Sequence, residues 1–127
     1  MAQDNVEVVR CCYEHLSRFG EVPRQVLDPQ VEFDFAWMDG RGPDAWNEAV
    51  SEWVGTFEQW QIEARELTPL SQDRVLVIAR DWGRPKGSGV EIDNEFAHLW
   101  WLRDGLVTRF QAFTTKADAL EAAGVSE

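Results

Sequence analysis

Four successive strand-like segments, separated only by turn signals, fill the second half of this chain and constrain its fold more than any other feature. Trp60 to Leu70 alternates imperfectly, and Pro69 argues for an edge or a bulge near its end. Ser71-Gln72-Asp73 turns the chain into a segment from Arg74 to Arg84. Gly83, Pro85, Gly87 and Gly89 mark a wide hairpin, and Val90 to Leu102 returns. Asp104-Gly105 makes a tight turn, after which Leu106 to Thr114 closes the set. Such an antiparallel meander leaves an apolar face that something else must cover.

The first half supplies the cover. Val6, Val9, Tyr13 and Leu16 recur at helical spacing over Asn5 to Phe19. Asp4 caps that helix with Glu7 three residues on, and Gly20 ends it. A short second helix is expected over Pro23 to Leu27, opened by its proline. Val31, Phe33 and Phe35 alternate with Glu32 and Asp34 as a short strand. After the turn Asp39-Gly40-Arg41-Gly42, Pro43 opens a third helix whose stripe is Trp46, Val50, Trp53, Val54 and Phe57. A last helix, Lys116 to Ala123, has Thr115 and Asp118 as its capping pair and Gly124 as its stop.

The order predicts one α+β domain over residues 1–127, with a strongly bent, mostly antiparallel sheet. Helices one and three would lie on its concave face as a cone-shaped α+β barrel around an apolar pocket. At 127 residues there is room for one core. Seven Trp demand a thick core, a pocket lining or an interface, because each indole is bulky and its N–H needs a partner.

Charge excludes some functions. The net charge of −11 is a poor platform for phosphate backbones or anionic membranes, so no nucleic acid and no membrane is expected as partner. It fits solubility in a bacterial cytoplasm, and secondarily the attraction of a cationic ligand. Met1 to Asn5 show no leader signature, and no stretch has the length of a membrane span. Cys11 and Cys12 are helical neighbours, expected as reduced thiols with Cys12 nearer the core. His15 and His98 lack metal-ligand spacing, and Gly87-Ser88-Gly89 joins two strands rather than a strand and a helix. Neither a metal nor a cofactor is expected.

Phe96-Ala97-His98-Leu99-Trp100-Trp101-Leu102-Arg103-Asp104-Gly105-Leu106-Val107, with Ala119 to Gly124 and the Gly87-Ser88-Gly89-Val90-Glu91 hairpin, resembles the SnoaL-like members of the nuclear-transport-factor-2-like superfamily. The resemblance covers nearly the whole chain. The superfamily includes ketosteroid isomerases, limonene-type epoxide hydrolases, polyketide cyclases, dehydratases and binding domains, so it implies a fold and leaves the function to the site.

Three residues carry the candidate chemistry. Tyr13 resembles the isomerase tyrosine that donates to a developing oxyanion, and a phenol in a dry pocket suits that task. His98 shares a strand face with Phe96 and Trp100, and the resemblance implies an oxyanion-hole or acid–base role there. Asp34 lies near the place of the isomerase base, although alternation with Val31, Phe33 and Phe35 turns it outward; Asp39, in the turn beyond, could swing over the mouth. Trp37, Trp53, Phe57, Trp82, Phe96, Trp100, Phe110 and Ala112 are expected to line the pocket. Arg80 and Asp81 suggest an epoxide-hydrolase relay, but its third member would fall near Ala112, which cannot ionise. They are read instead as a solvated pair at a strand end. Trp101, on the other strand face, is expected at a homodimer interface.

The function expected is that of a cofactor-free isomerase, cyclase or lyase acting on a small apolar carbonyl compound. The rival readings are a domain that binds a hydrophobic ligand without transforming it and a dimeric interaction module.

Overall fold

The computed structural model describes residues 2–35 and 37–124; Met1, at the head of the segment read for a leader, lies outside them. The chain runs as α1 (Ala2–Phe19), a 3-10 turn (Arg24–Val26), β1 (Leu27–Asp34), β2 (Asp39–Arg41), α2 (Pro43–Gly55), β3 (Phe57–Ser71), β4 (Arg74–Pro85), β5 (Ile92–Arg103), β6 (Leu106–Phe113) and α3 (Lys116–Ala123). All strands join one open sheet in the order β2-β1-β6-β5-β4-β3. The meander from β3 to β6 is antiparallel as its turns require, and β1 adds to it parallel to β6. The result is the cone-shaped α+β fold of the nuclear-transport-factor-2-like proteins.

Period-two alternation divides the apolar residues between two cores. On the inner face Val75, Val77 and Ala79 of β4 and Trp100 and Leu102 of β5 meet Val9, Cys12 and Tyr13 of α1 and Trp46 and Ala49 of α2. On the outer face Leu76, Ile78, Ala97 and Leu99 meet Ala119 and Leu120 of α3. The run Val75–Ala79 is therefore buried throughout, one half by each layer. Register breaks between Ala64 and Glu66, and between Pro69 and Ser71, interrupt the β3 ladder. Such bulges kink a strand and sharpen its twist, and the second stands where Pro69 removes an N–H.

Three expectations are corrected. Pro23–Leu27 forms only a 3-10 turn, because Leu27 is already extended and paired with Val107 of β6. Phe57 does not close the stripe of α2; it opens β3, buried against the ring of Trp53 at 5.2 Å. Asp39–Arg41, read as a turn, pairs with β1 as β2, with Phe33 opposite Gly40. The Phe33 ring lies over that glycine so closely that a Cβ there would come within 2.6 Å of it.

Helix α3 keeps its expected caps: Thr115 Oγ1 accepts from the Asp118 N–H at 3.1 Å, and Gly124 takes a left-handed φ of 74°. Among the described residues no helix is long and apolar enough to cross a membrane.

Candidate functional site

A cavity of about 170 Å³ lies between the inner sheet face and the first two helices. Its wall is mostly aromatic and aliphatic, with Tyr13, Asp81 and His98 as its ionisable side chains. Trp37 lines it while remaining 53% exposed, which puts that indole at the mouth, stacked on Trp53 at 6.1 Å.

The first polar group is built from α1 and β5. The inward stripe of α1 carries Tyr13 against β5, where alternation places His98 and Trp100 on one face. The phenol oxygen lies 2.5 Å from His98 Nδ1 and accepts the Trp100 indole N–H at 3.0 Å. An indole nitrogen can only donate, so the phenol keeps its own proton free, and in the imidazole tautomer with Nδ1 unprotonated it donates that proton there. In that tautomer His98 is protonated at Nε2. Burial pulls the His98 pKa from the usual 6.5 to about 4 and pushes Tyr13 well above its usual value, the Trp100 hydrogen bond opposing the latter. Both groups are thus neutral near pH 7. Trp100, Tyr13 and His98 form a donor relay in which each bond polarises the next.

The second polar group is Asp81 on β4, only 4% exposed. Trp60 Nε1 donates to its Oδ2 at 3.0 Å, whereas Oδ1 is buried with no hydrogen-bond partner among the described residues. Burial raises the Asp81 pKa, and the Trp60 hydrogen bond partly offsets this. The expected solvated Arg80–Asp81 pair is corrected here. Neighbours on a strand face opposite ways, so Arg80 turns outward while Asp81 turns into the cavity. Outside, Arg80 grips Asp93 through Nε and Nη2 at 2.8 and 2.6 Å and lies over the Trp82 ring at 4.4 Å.

The two polar groups occupy different stretches of wall. His98 pairs with Val77 and Asp81 with Asn94, four positions apart along β5. At roughly 3.3 Å per residue, that spacing is about 13 Å along the strand. A ligand touching both must present two polar atoms separated by apolar skeleton.

Asp34 does not line this cavity. It lies along a surface groove with Glu32, Asp39, Arg41 and Arg109, as the alternation around Phe33 requires. Asp39, expected to swing over the cavity mouth from a turn, instead opens β2 in that groove. Of the expected lining, Trp37, Trp53, Phe96, Trp100, Phe110 and Ala112 are in place, and Phe57 and Trp82 are not. Trp82 faces outward under Arg80. Phe35, Trp46 and Trp60 line the cavity without having been singled out for it. Asp81 was weighed and set aside; the outward-facing series Arg80, Trp82, Arg84 was the signal that could have turned it inward. Trp101 is half-buried beside α3, with the Arg109 guanidinium 4.9 Å from its ring centre. Cys12 is buried with its thiol pushed up to about 12 by desolvation, and Cys11 is exposed.

Neither a family model nor a curated protein sequence matches the chain. Solved structures do. A protein with a ketosteroid isomerase-like fold from Catenulispora acidiphila, in complex with trimethylamine, superposes with a TM-score of 0.77 over 94% of either chain at 14% identity. A protein from Jannaschia sp. CCS1, described as a SnoaL-like polyketide cyclase, gives 0.76 over 98% of this chain and 94% of its own at 21% identity. An epoxide hydrolase of the limonene type (LEH-like) from M. tuberculosis gives 0.71 over 94% of this chain and 88% of its own at 11% identity. At these identities the likeness establishes the fold, and the chemistry has to come from the cavity.

Proposed function

We propose that this chain is a small-molecule pocket protein in which His98, held by Tyr13, polarises a carbonyl oxygen of a mostly apolar ligand. The observation that supports this reading is the Trp100–Tyr13–His98 relay on a mostly apolar wall, which in the tautomer with Nδ1 unprotonated leaves the Nε2–H of His98 as a donor. A fixed donor in a dry site stabilises negative charge developing on oxygen far better than water does. Such polarisation acidifies the neighbouring C–H, the shared first step of the cofactor-free isomerase, cyclase and lyase class. Epoxide hydrolysis fits less well, since Arg80 faces away from the cavity and Ala112, at the place of the third relay member, cannot ionise.

A second reading, binding without turnover, is favoured by one observation. The carboxylate that reaches the cavity, Asp81, lies about 13 Å along the strand from His98 and does not share its ligand atom.

Titration with a series of aromatic ketones, followed by Trp fluorescence, tests the first reading. Quenching that weakens about tenfold or more in His98→Ala is expected for a carbonyl held by one hydrogen bond to a buried donor. Equal binding to both proteins would overturn it. Exchange of the bound ketone's α-hydrogens with deuterated solvent separates turnover from binding: exchange by the wild type supports catalysis, and its absence in a bound ketone supports the binding reading.

A further inference from the structure

We propose that Asp81 and the aromatic faces around it form a subsite for an organic ammonium group, so that the ligand of this cavity is an amine or quaternary-ammonium compound. This rests on the pocket reading above and adds the chemical class of the ligand's second pole.

Five observations carry it. Asp81 Oδ1 is buried without a hydrogen-bond partner among the described residues, a state that costs free energy until a ligand supplies a positive or donating group. Trp60 fixes the other oxygen, so the carboxylate cannot turn away to solvent without breaking that bond. Among the described residues no Lys or Arg side chain lines the cavity, which leaves the carboxylate without an internal counter-ion there. The neighbouring Arg80 is committed to Asp93 and Glu63 on the other face. Finally, Trp60 beside the carboxylate and Trp37, Trp53 and Phe96 line the same cavity, and the electron-rich faces of aromatic rings attract desolvated cations.

A neutral alcohol could donate to Oδ1 but would leave the buried charge uncompensated. An ammonium group compensates the charge and occupies the aromatic faces at once. The net charge of −11 favours the approach of cations in the same direction. An anionic ligand would meet Asp81 without any cationic partner and is excluded by the same inventory.

The test compares choline with its neutral carbon isostere, in which a quaternary carbon replaces the nitrogen, by calorimetry at fixed ionic strength. Choline is expected to bind the wild type more than about tenfold tighter than the isostere, the combined effect of a desolvated cation–π contact and a charge-assisted bond. Asp81→Asn abolishes that preference and leaves the isostere unchanged. Trp53→Leu, which keeps the carboxylate, also lowers choline affinity and guards against a folding defect in the first variant. His98→Ala leaves choline affinity within about twofold, because the donor relay lies on a different stretch of wall. Equal affinity for the two probes, no measurable choline binding, or a preference that survives Asp81→Asn would each overturn the proposal. Loss of ketone binding in His98→Ala with no choline preference would leave the carbonyl reading standing alone; the reverse pattern would leave the ammonium subsite standing without it.

Discussion

An imidazole whose pKa burial has lowered to about 4 ties the stability of this fold to pH. The unfolded chain, with an ordinary value near 6.5, binds a proton on His98 at pH values where the folded chain does not. Stability therefore rises with pH between about 4 and 6.5 and is lost as pH falls through that window. The full swing is on the order of 3 kcal/mol, at about 1.4 kcal/mol per unit. Urea midpoints of the wild type and of His98→Gln, compared at both ends of the window, should differ in this acid limb; parallel profiles would contradict a buried neutral His98. Asp81 carries the opposite sign. Its raised pKa means that the folded state resists ionising it, so the penalty is present near pH 7 and fades as pH falls through the raised value. Asp81→Asn should accordingly raise the thermal midpoint near pH 7 while weakening ligand binding, and a fall in that midpoint would count against an uncompensated carboxylate. Cysteine chemistry divides in the same residue-by-residue way. With Cys12 buried and pushed up to about 12, only Cys11 should react with a thiol reagent in the native protein, as peptide mapping would show. Tyr13 and His98 were legible in the sequence because helical spacing and strand alternation each assign a face without outside help. Asp81 was harder to read, because Val75 to Ala79 is apolar on both faces and the phase comes only from Arg80, Trp82 and Arg84 beyond it.

Among the elements, β4 has the narrowest tolerance. Gly83 stands opposite Trp60, and a Cβ there would lie 2.1 Å from the Gln59 carbonyl oxygen. Backbone cannot yield as a flexible side chain does, so Gly83→Ala should cost on the order of 2 kcal/mol and disturb the Trp60–Asp81 bond beside it. Gly55, at the end of α2 with nothing near its Cβ position, provides the contrast. Gly55→Ala should stabilise the protein by about 0.5–1 kcal/mol through helix propensity. Denaturant unfolding of the two variants measures both; a harmless Gly83→Ala would mean that β3 and β4 separate more readily than their pairing implies. The element order, the meander and the caps of α3 were readable because turn residues and periodicity are local. The missing strand β2 was not, since its glycine is made strand-like by the ring of Phe33, a contact between segments. The parallel pairing of β1 with β6 joins distant segments, and no local pattern in either announces the partner.

For the whole molecule, the two faces of the sheet have different partners. The inner face closes over the cavity beneath α1 and α2, and the outer face is covered by the chain's own α3 beside a ladder of ion pairs around Arg80. The homodimer expected from the sequence would have to use what α3 leaves open, around the half-buried Trp82 and Trp101, each with an arginine over its ring. Truncation after Thr114 would uncover Leu76, Ile78 and Leu99, and light scattering should then report self-association of the shortened chain. An unchanged monodisperse species would mean that α3 contributes little to that face. The carbonyl-binding reading depends on one arrangement, the Tyr13 hydroxyl donating to an unprotonated His98 Nδ1 so that Nε2–H is left for a ligand. The chain has only two histidines, so proton–nitrogen NMR of isotope-labelled imidazoles can read it directly. The structure predicts a His98 signal with Nδ1 bare, Nε2 protonated, and no titration until pH approaches about 4. A His98 that carries its proton on Nδ1, or that titrates near 6.5, would contradict the relay and with it the carbonyl-binding reading.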